Sequence, residues 1–480
     1  MGSLLLLCSA IMVWQYHASK SRTRAEYVVL GFLVLRGAVA LANGYYQFFP
    51  LARDAIVFDE VACVVGELLR SFRLVDLVLE IKDGRIIEPM YTVPLGFLYG
   101  VLGADPSVGF VANTIVFSLT SYNVYRISRV CFGSRGGMWG LVIYSVLPYS
   151  ALHSTYLYRD PVVNFFLSQL FYMTLIWRRY TPGIRRWMVF GSVVIVSGFL
   201  RRENFVLICF IFYIFALHME FSLIRAGRVP FRMVALVGVG VGACVFISKL
   251  DTYPWLLREA AGLTDVDNIQ YRLEKHLYDA QSSYLVDQRI AGFGDALRVL
   301  PLRVAYFYLS PFPWDMFKSE QVIPMIEAWV VGVITVFFVG GLLLLRKKRE
   351  TRDFVVVALL FIAAGVCGAS LVQSNSAGAQ RHRTQFTWLV VAVGAPMIGV
   401  RRRGVVLGGG LVERTCGTPR IRARDIVVKG DGVVGRFRGR TENLGENRLL
   451  PPEYGVSWRC LRPRHQASAG LSGSRKSKIG

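Results

Sequence analysis

The chain has 480 residues, of which 54% are hydrophobic and 18% charged, and a formal net charge of +23. One water-soluble core cannot bury so much apolar side chain, so the surplus needs lipid, and a soluble globular enzyme is excluded. Eight scattered cysteines with no CxxC spacing and six isolated histidines with no HExxH pattern exclude a disulfide framework and a structural zinc site, so no metal site is expected.

Taken in order, the first apolar run, Leu4 to Trp14, is short for a span; it is read as an extra membrane helix, a signal-like segment or the remnant of a truncated helix. Apolar stretches bounded by charge then follow at about 27–43, 109–125, 138–155, 161–177, 187–200, 203–218, 232–249, 326–345, 353–371 and 384–400. At roughly 15 to 20 residues, each can cross a hydrocarbon core about 30 Å thick. The expected fold class is an all-α polytopic membrane protein with 10 or 11 transmembrane helices.

Basic residues near helix ends are retained on the cytoplasmic side. Lys20, Arg22 and Arg24, then Arg126, Arg129 and Arg135, then Arg178, Arg179, Arg185 and Arg186 fall in alternate loops, and the alternation continues through Arg225, Arg228 and Arg232, Arg346 to Arg352, and Arg401 to Arg403. Pro89 to Leu102 is apolar, but as a span it would put the loops around Arg126 and Arg178 outside. It is also short and carries Pro94, so it is expected as an interfacial helix on the outer face. The membrane domain then covers 1–400, with a first outer loop at about 45–108 and a second, helical one at about 250–325. The acids of the second loop, Asp251 to Asp295, read as the solvated face of a cap.

Residues 401–480 carry 18 Lys and Arg against 6 Asp and Glu, a net of +12, with 14 Gly and no apolar periodicity. They are expected to form a disordered cytoplasmic tail drawn to anionic lipid headgroups. No stacking aromatics are interleaved with the charges, so nucleic acid is not an expected partner.

The candidate site residues are charges at outer helix ends, where ionised groups beside lipid are costly unless paired or in use. Arg53, Asp54, Asp59 and Glu60 follow the first long helix. Paired carboxylates there suit a general base or a cation site. Equally, Asp54 can pair with Arg53 or Arg70, and Asp59 can cap a helix running from Glu60 to Arg70. Tyr158-Arg159-Asp160, Arg201-Arg202-Glu203 and Arg381-His382-Arg383 stand at three outer boundaries, all against the positive-inside rule. Arginine grips phosphate oxygens in a planar fork, so outward arginines at membrane level point to an anionic lipid headgroup; pairing of Arg159 with Asp160 and of Arg202 with Glu203 is the plainer reading of each.

The layout resembles the C-type superfamily of membrane glycosyltransferases, within it the dolichyl-phosphate-mannose protein mannosyltransferase and aminoarabinose transferase-like group. Phe58-Asp59-Glu60-Val61 resembles that family's aspartate-glutamate motif, and Glu88-Pro89-Met90-Tyr91 the start of the interfacial helix closing its first loop. Asn113, Pro148 before Tyr158-Arg159-Asp160, Pro311-Phe312-Pro313-Trp314 and Gln380-Arg381-His382-Arg383 follow in the same order, and the likeness covers about 27–400. Ala62-Cys63 departs from the His-Phe common after the motif, and the family's appended soluble domain has no counterpart; both weigh against protein mannosylation and keep Asp54 as an alternative base.

The resemblance implies an inverting transfer from a polyprenyl-phosphate sugar to a glycan, lipid or protein acceptor on the extracytoplasmic face of a multi-pass cell-membrane protein. Asp59 takes the part of the base and Glu60 of its partner, and Arg159, Arg201, Arg202, Arg381 and Arg383 become candidates for the carrier phosphate. No cofactor is required, and a divalent cation is left open. The rival readings are a transporter, flippase or polymerase of lipid-linked saccharides, and a membrane scaffold.

Overall fold

A computed structural model of the chain describes residues 1–21, 23–46, 53–177, 184–201, 284–285, 292–315, 321–348 and 350–399, all within one compact unit, Met1–Val406. Of these residues 88% are helical and none is in a strand, which establishes the all-α class for this part of the chain. The stretches expected at 203–218 and 232–249, Arg202, most of the second outer loop and the tail at 401–480 lie outside the described residues.

The helices are α1 (Gly2–Ser21), α2 (Arg24–Tyr46), α3 (Arg53–Arg70), α4 (Leu74–Lys82), α5 (Pro89–Leu102), α6 (Pro106–Val146), α7 (Pro148–His153), α8 (Asp160–Trp177), α9 (Ile184–Leu200), α10 (Phe293–Leu309), α11 (Val322–Arg346), α12 (Arg352–Val372) and α13 (Ser376–Gly399). Three of them, α2, α11 and α12, are long and apolar enough to cross a membrane. Leu4 to Trp14 lies inside a single helix of 20 residues, α1.

Two of the expected apolar stretches share α6. At Gly133 the backbone takes φ 81° and ψ −177°, which glycine alone adopts without strain. There the chain doubles back: Gly137 lies against the Tyr125 ring, Gly140 against Ser128, and Tyr144 stacks on Phe117 at 4.9 Å. Along one straight helix residues 12 apart stand about 18 Å from each other, so α6 is a hairpin of two arms. Its second arm stops at Val146 rather than running to 155, because Pro148 has no N–H to give the preceding turn and starts α7 instead.

The expected first outer loop is largely helical. Its α3 and α5 run parallel, with Phe58 on Tyr91, Ala62 on Gly96 and Gly66 on Gly100. Small residues spaced four apart let the two backbones approach closely; a Cβ on Gly96 would stand 2.4 Å from Val65 Cγ1 and 2.9 Å from the Ala62 carbonyl oxygen. Arg70 closes the pair by donating to the Tyr99 and Gly100 carbonyls at 2.7 and 2.8 Å, satisfying acceptors that the last turn of α5 leaves open.

Helix α13 is the centre of the bundle, with Trp388 through Val393 fully buried. It starts at Ser376, eight residues before the expected 384, which puts Arg381, His382 and Arg383 inside the helix rather than at its threshold. Among the described residues, the basic connections at Arg126 to Arg135 and Arg346 to Arg352 gather at one end. There Trp14 packs on Tyr122, Lys348 donates to the Cys131 carbonyl at 3.2 Å, Phe354 packs on Phe171, and Gly399 meets Trp139. Arg381 lies 18 residues back along α13 from Gly399, about 27 Å away, toward the opposite end.

Candidate functional site

The opposite end is organised by the turn from α7 to α8. Asn113 on α6 reaches the carbonyls of Tyr156 at 2.6 Å and Tyr158 at 2.9 Å, and the Tyr91 hydroxyl at 3.2 Å, tying this turn to α5 and α6. Asp160 follows as the first residue of α8, its side chain 1% exposed. Arg201 Nη1 donates to Asp160 Oδ1 at 2.8 Å, and Arg381 Nε lies 3.5 Å from Oδ2. Arg381 also pairs with Asp54, 327 residues earlier, and covers the Tyr158 ring at 4.5 Å. His382 sits 3.5 Å from Arg201 and 2.9 Å from Gln373 Nε2.

Among the sequence candidates, then, Asp54, Arg201 and Arg381 come together, with Asp160 as the shared anion. Arg159 stands beside them but pairs with Glu88, not with Asp160. Glu88 holds a left-handed backbone, φ 47°, immediately before Pro89, which turns its carboxylate toward Arg159. Arg383 points elsewhere, donating to the carbonyls of Tyr308 at 2.7 Å and Ser310 at 3.1 Å. Arg202 lies outside the described residues.

Asp59 and Glu60 are not in this cluster. Glu60 is exposed. Asp59 faces α5 and accepts from the Tyr99 hydroxyl at 2.6 Å. Burial pushes its carboxyl above the ordinary range; the Tyr99 hydrogen bond opposes that, and the charges of Asp105 and Glu60 add to it. Two simpler expectations are corrected: Arg70 is engaged on α5 rather than on Asp54, and α3 begins at Arg53, so Asp59 lies within the helix and does not cap it.

A second buried polar set was missed. Glu327, 2% exposed on α11, accepts from the Ser150 N–H at 2.8 Å and the Ser150 hydroxyl at 2.5 Å, taking up a free N–H at the start of α7. Arg36 on α2 donates to the Ser145 carbonyl and lies 4.1 Å over Phe117. Arg303 on α10 is 1% exposed. The usable signal for all three was a lone charge inside an apolar run. Among the described residues no three His, Cys, Asp or Glu side chains gather as metal ligands. No family model, curated protein or solved structure matches the chain.

Chemically, the Asp54 end of the cluster is open and the Asp160 end closed. The Asp54 side chain is 53% exposed, whereas Arg201 and Asp160 are 4% and 1% exposed. Arg381, 23% exposed, bridges them. An oxyanion arriving from outside can compete with Asp54 for Arg381 without disturbing the buried pair, and each success frees a carboxylate at the same point.

Proposed function

We propose that this chain is a polytopic membrane glycosyltransferase of the C-type kind, working on the extracytoplasmic face with a polyprenyl-phosphate sugar as donor and a hydroxyl-bearing glycan, lipid or protein as acceptor. The basic end is cytoplasmic in this reading, by retention of Lys and Arg, and the Asp54–Arg381 end is the outer one. The observation that carries the proposal is the ion pair between Asp54, in the segment that follows α2, and Arg381 on the central helix, next to Asp160 and Arg201.

The donor is a phosphodiester. Its phosphate takes Arg381 from Asp54, and the freed carboxylate accepts the proton of the acceptor hydroxyl as that oxygen bonds to the anomeric carbon. The anomeric carbon–phosphate oxygen bond breaks with its electron pair going to the phosphate, the configuration inverts, and the carrier leaves as a monoester. Negative charge grows on the phosphate during this step, which fixed guanidinium groups favour over the ground state. Asp54 is preferred as base over Asp59 because Asp59 is occupied by Tyr99 and turned to α5.

The test is release of carrier phosphate by purified protein given a polyprenyl-phosphate sugar and acceptor. Asp54→Asn is expected to lower the rate by about 10² to 10⁴, the usual worth of a positioned base, with Asp59→Asn retaining most of it. Loss in Asp59→Asn alone returns the role to Asp59. Full activity in both variants, or no release by the parent protein with any donor of this class, sinks the transferase reading.

A further inference from the structure

Between α3 and α5 the chain carries an apolar surface that the fold leaves open. Phe72, Val75 and Val78 are 87%, 74% and 62% exposed, and Leu74 and Leu79 beside them are exposed as well. Scattered apolar residues on a surface need no account, but a contiguous group does. On α4, Leu74, Val75, Val78 and Leu79 fall within about 140° of the helix circumference. Leu77 and Ile81, on one flank of that arc, pack with Val65 and Leu68 of α3 and with Ile86, so the helix is attached by its edge. Asp76 and Glu80 stand on the far side with their charges answered locally: Arg73 meets Asp76 at 2.5 Å, and Arg85 meets Glu80 at 3.0 Å and Asp83 at 2.8 Å. Lys82 projects from the middle of the open arc, where its stem can lie along apolar surface with the ammonium raised to headgroups or water. Phe72 holds a left-handed backbone, φ 54°, and closes α3: the Phe72 and Arg73 N–H groups donate to the Leu69 and Leu68 carbonyls at 3.1 and 2.9 Å. That closure suits glycine and strains a residue with a Cβ. A ring so exposed gains little from the protein, so the reason for it lies outside the chain's own packing.

Neighbouring contacts fix the level of this surface. Helix α2 is long and apolar enough to cross a membrane, and at its end Gly44 lies against Ser107 in the first turn of α6. Tyr45 and Tyr46 are exposed there and meet edge to face at 4.8 Å, the kind of residue that gathers where membrane meets water. Five residues before Ser107, Leu102 at the end of α5 abuts Gly2 at the start of α1. Arg70 is bound to the Tyr99 and Gly100 carbonyls just behind Leu102, so Phe72 and the start of α4 stand close to the boundary that α2 marks. We infer that α4 lies in the bilayer surface at this boundary, with Phe72, Leu74, Val75, Val78 and Leu79 among the upper acyl chains and Asp76 and Glu80 toward water. An amphipathic helix with one apolar side and a charged opposite side takes this position in lipid. The open arc adjoins a perimeter that lipid already surrounds, which favours the bilayer over a second protein as its occupant. Anchored there, α4 holds the depth of α3, and with it Asp54, about 24 Å from Arg70 along the same helix.

Nitroxide spin labels on the full chain, with the native cysteines removed, test this in vesicles of phosphatidylcholine and phosphatidylglycerol. Oxygen concentrates among acyl chains, and a nickel chelate stays in water. Labels at Val75→Cys and Val78→Cys are expected to show a several-fold higher ratio of oxygen to nickel collisions than one at Asp76→Cys, on the opposite side of the helix. Each change falls on an exposed side chain, and Leu79→Cys serves where one of the valine variants does not fold. Equal access of the nickel chelate to all the labels puts α4 in water and overturns the inference. Exclusion of both reagents from positions 75 and 78 overturns it too, because protein then covers the face: a second copy if labels on two chains broaden each other's spectra, this chain itself if they do not. Neither donor nor acceptor enters the measurement, so its failure leaves the transferase reading untouched, and failure of that reading leaves α4 where it is.

Discussion

Removing the anion shared by Arg201 and Arg381, Asp160, is the sharpest perturbation available. Asp160→Asn leaves Arg201, whose side chain is 4% exposed, without the carboxylate it now meets at 2.8 Å. Breaking a buried pair from one side typically costs about 3–5 kcal/mol, because the surviving charge stays desolvated. Arg381 loses only one of its two carboxylates and is more accessible, so it adds little. The expected cost is therefore that of breaking one buried pair from one side, about 3–5 kcal/mol, or roughly two to three and a half powers of ten in the folded-to-unfolded ratio. Arg201→Met should cost less, since Asp160 keeps Arg381 at 3.5 Å, and Asp54→Asn should cost least, its side chain being 53% exposed. The double variant Asp160→Leu/Arg201→Met should recover most of the loss, giving a large coupling energy in a double-mutant cycle. The assay is reversible unfolding in mixed micelles followed by circular dichroism. A cost below about 1 kcal/mol for Asp160→Asn, in the range of an exposed pair, would refute the burial argument.

Three other outcomes follow from separate parts of the fold. The Asp59 carboxyl is raised by burial, so its contribution to stability is whole below the unfolded value of about 3.9 and is lost as pH rises through the folded value; Asp59→Asn, which keeps an acceptor for Tyr99, should flatten that part of the pH–stability curve in thermal scans. Gly96→Val drives a branched side chain into Val65 and the Ala62 carbonyl and should destabilise by about 1–3 kcal/mol, the usual range for overpacking, with Gly84→Val as a control in open space save for its own turn strain. With the native cysteines removed, a cysteine at Ser134, in the basic end, should resist an impermeant thiol reagent on intact cells while one at Asp83 reacts, and the reverse pattern would invert the proposed orientation.

Much of this architecture is written in the sequence as lengths and charges. Apolar runs bounded by arginine mark α2, α8, α11 and α12, and the short, proline-bearing run at 89–102 emerges as α5. What length and polarity do not encode is where a helix begins when polar residues belong to its buried side. The first turns of α13 read as a loop, Gln380-Arg381-His382-Arg383, yet Arg381, His382 and Arg383 each find a partner on a neighbouring part of the fold, so the backbone stays helical from Ser376. Partner choice was equally hidden. Asp160 follows Arg159 in the chain, and adjacency invites a pair, but at the start of α8 the two side chains diverge and find Arg201 and Glu88 instead.

The same geometry explains why Asp54 and Asp59, close in sequence, serve different neighbours in space. Asp54 and Asp59 are five residues apart on α3, about 140° around its axis. A helix bearing both cannot aim both at one point unless it lies with its axis across the site. Here α3 is committed by Ala62 and Gly66 to parallel packing on α5, which turns Asp59 inward to Tyr99 and leaves Asp54, at the free first turn, to meet α13. The small-residue seam thus decides which carboxylate faces the arginines. If a bulky residue at Gly96 or Gly66 rotated α3 without unfolding it, the dependence of transfer on Asp54 and on Asp59 should shift together, an exchange that a purely structural Asp54–Arg381 pair has no reason to produce.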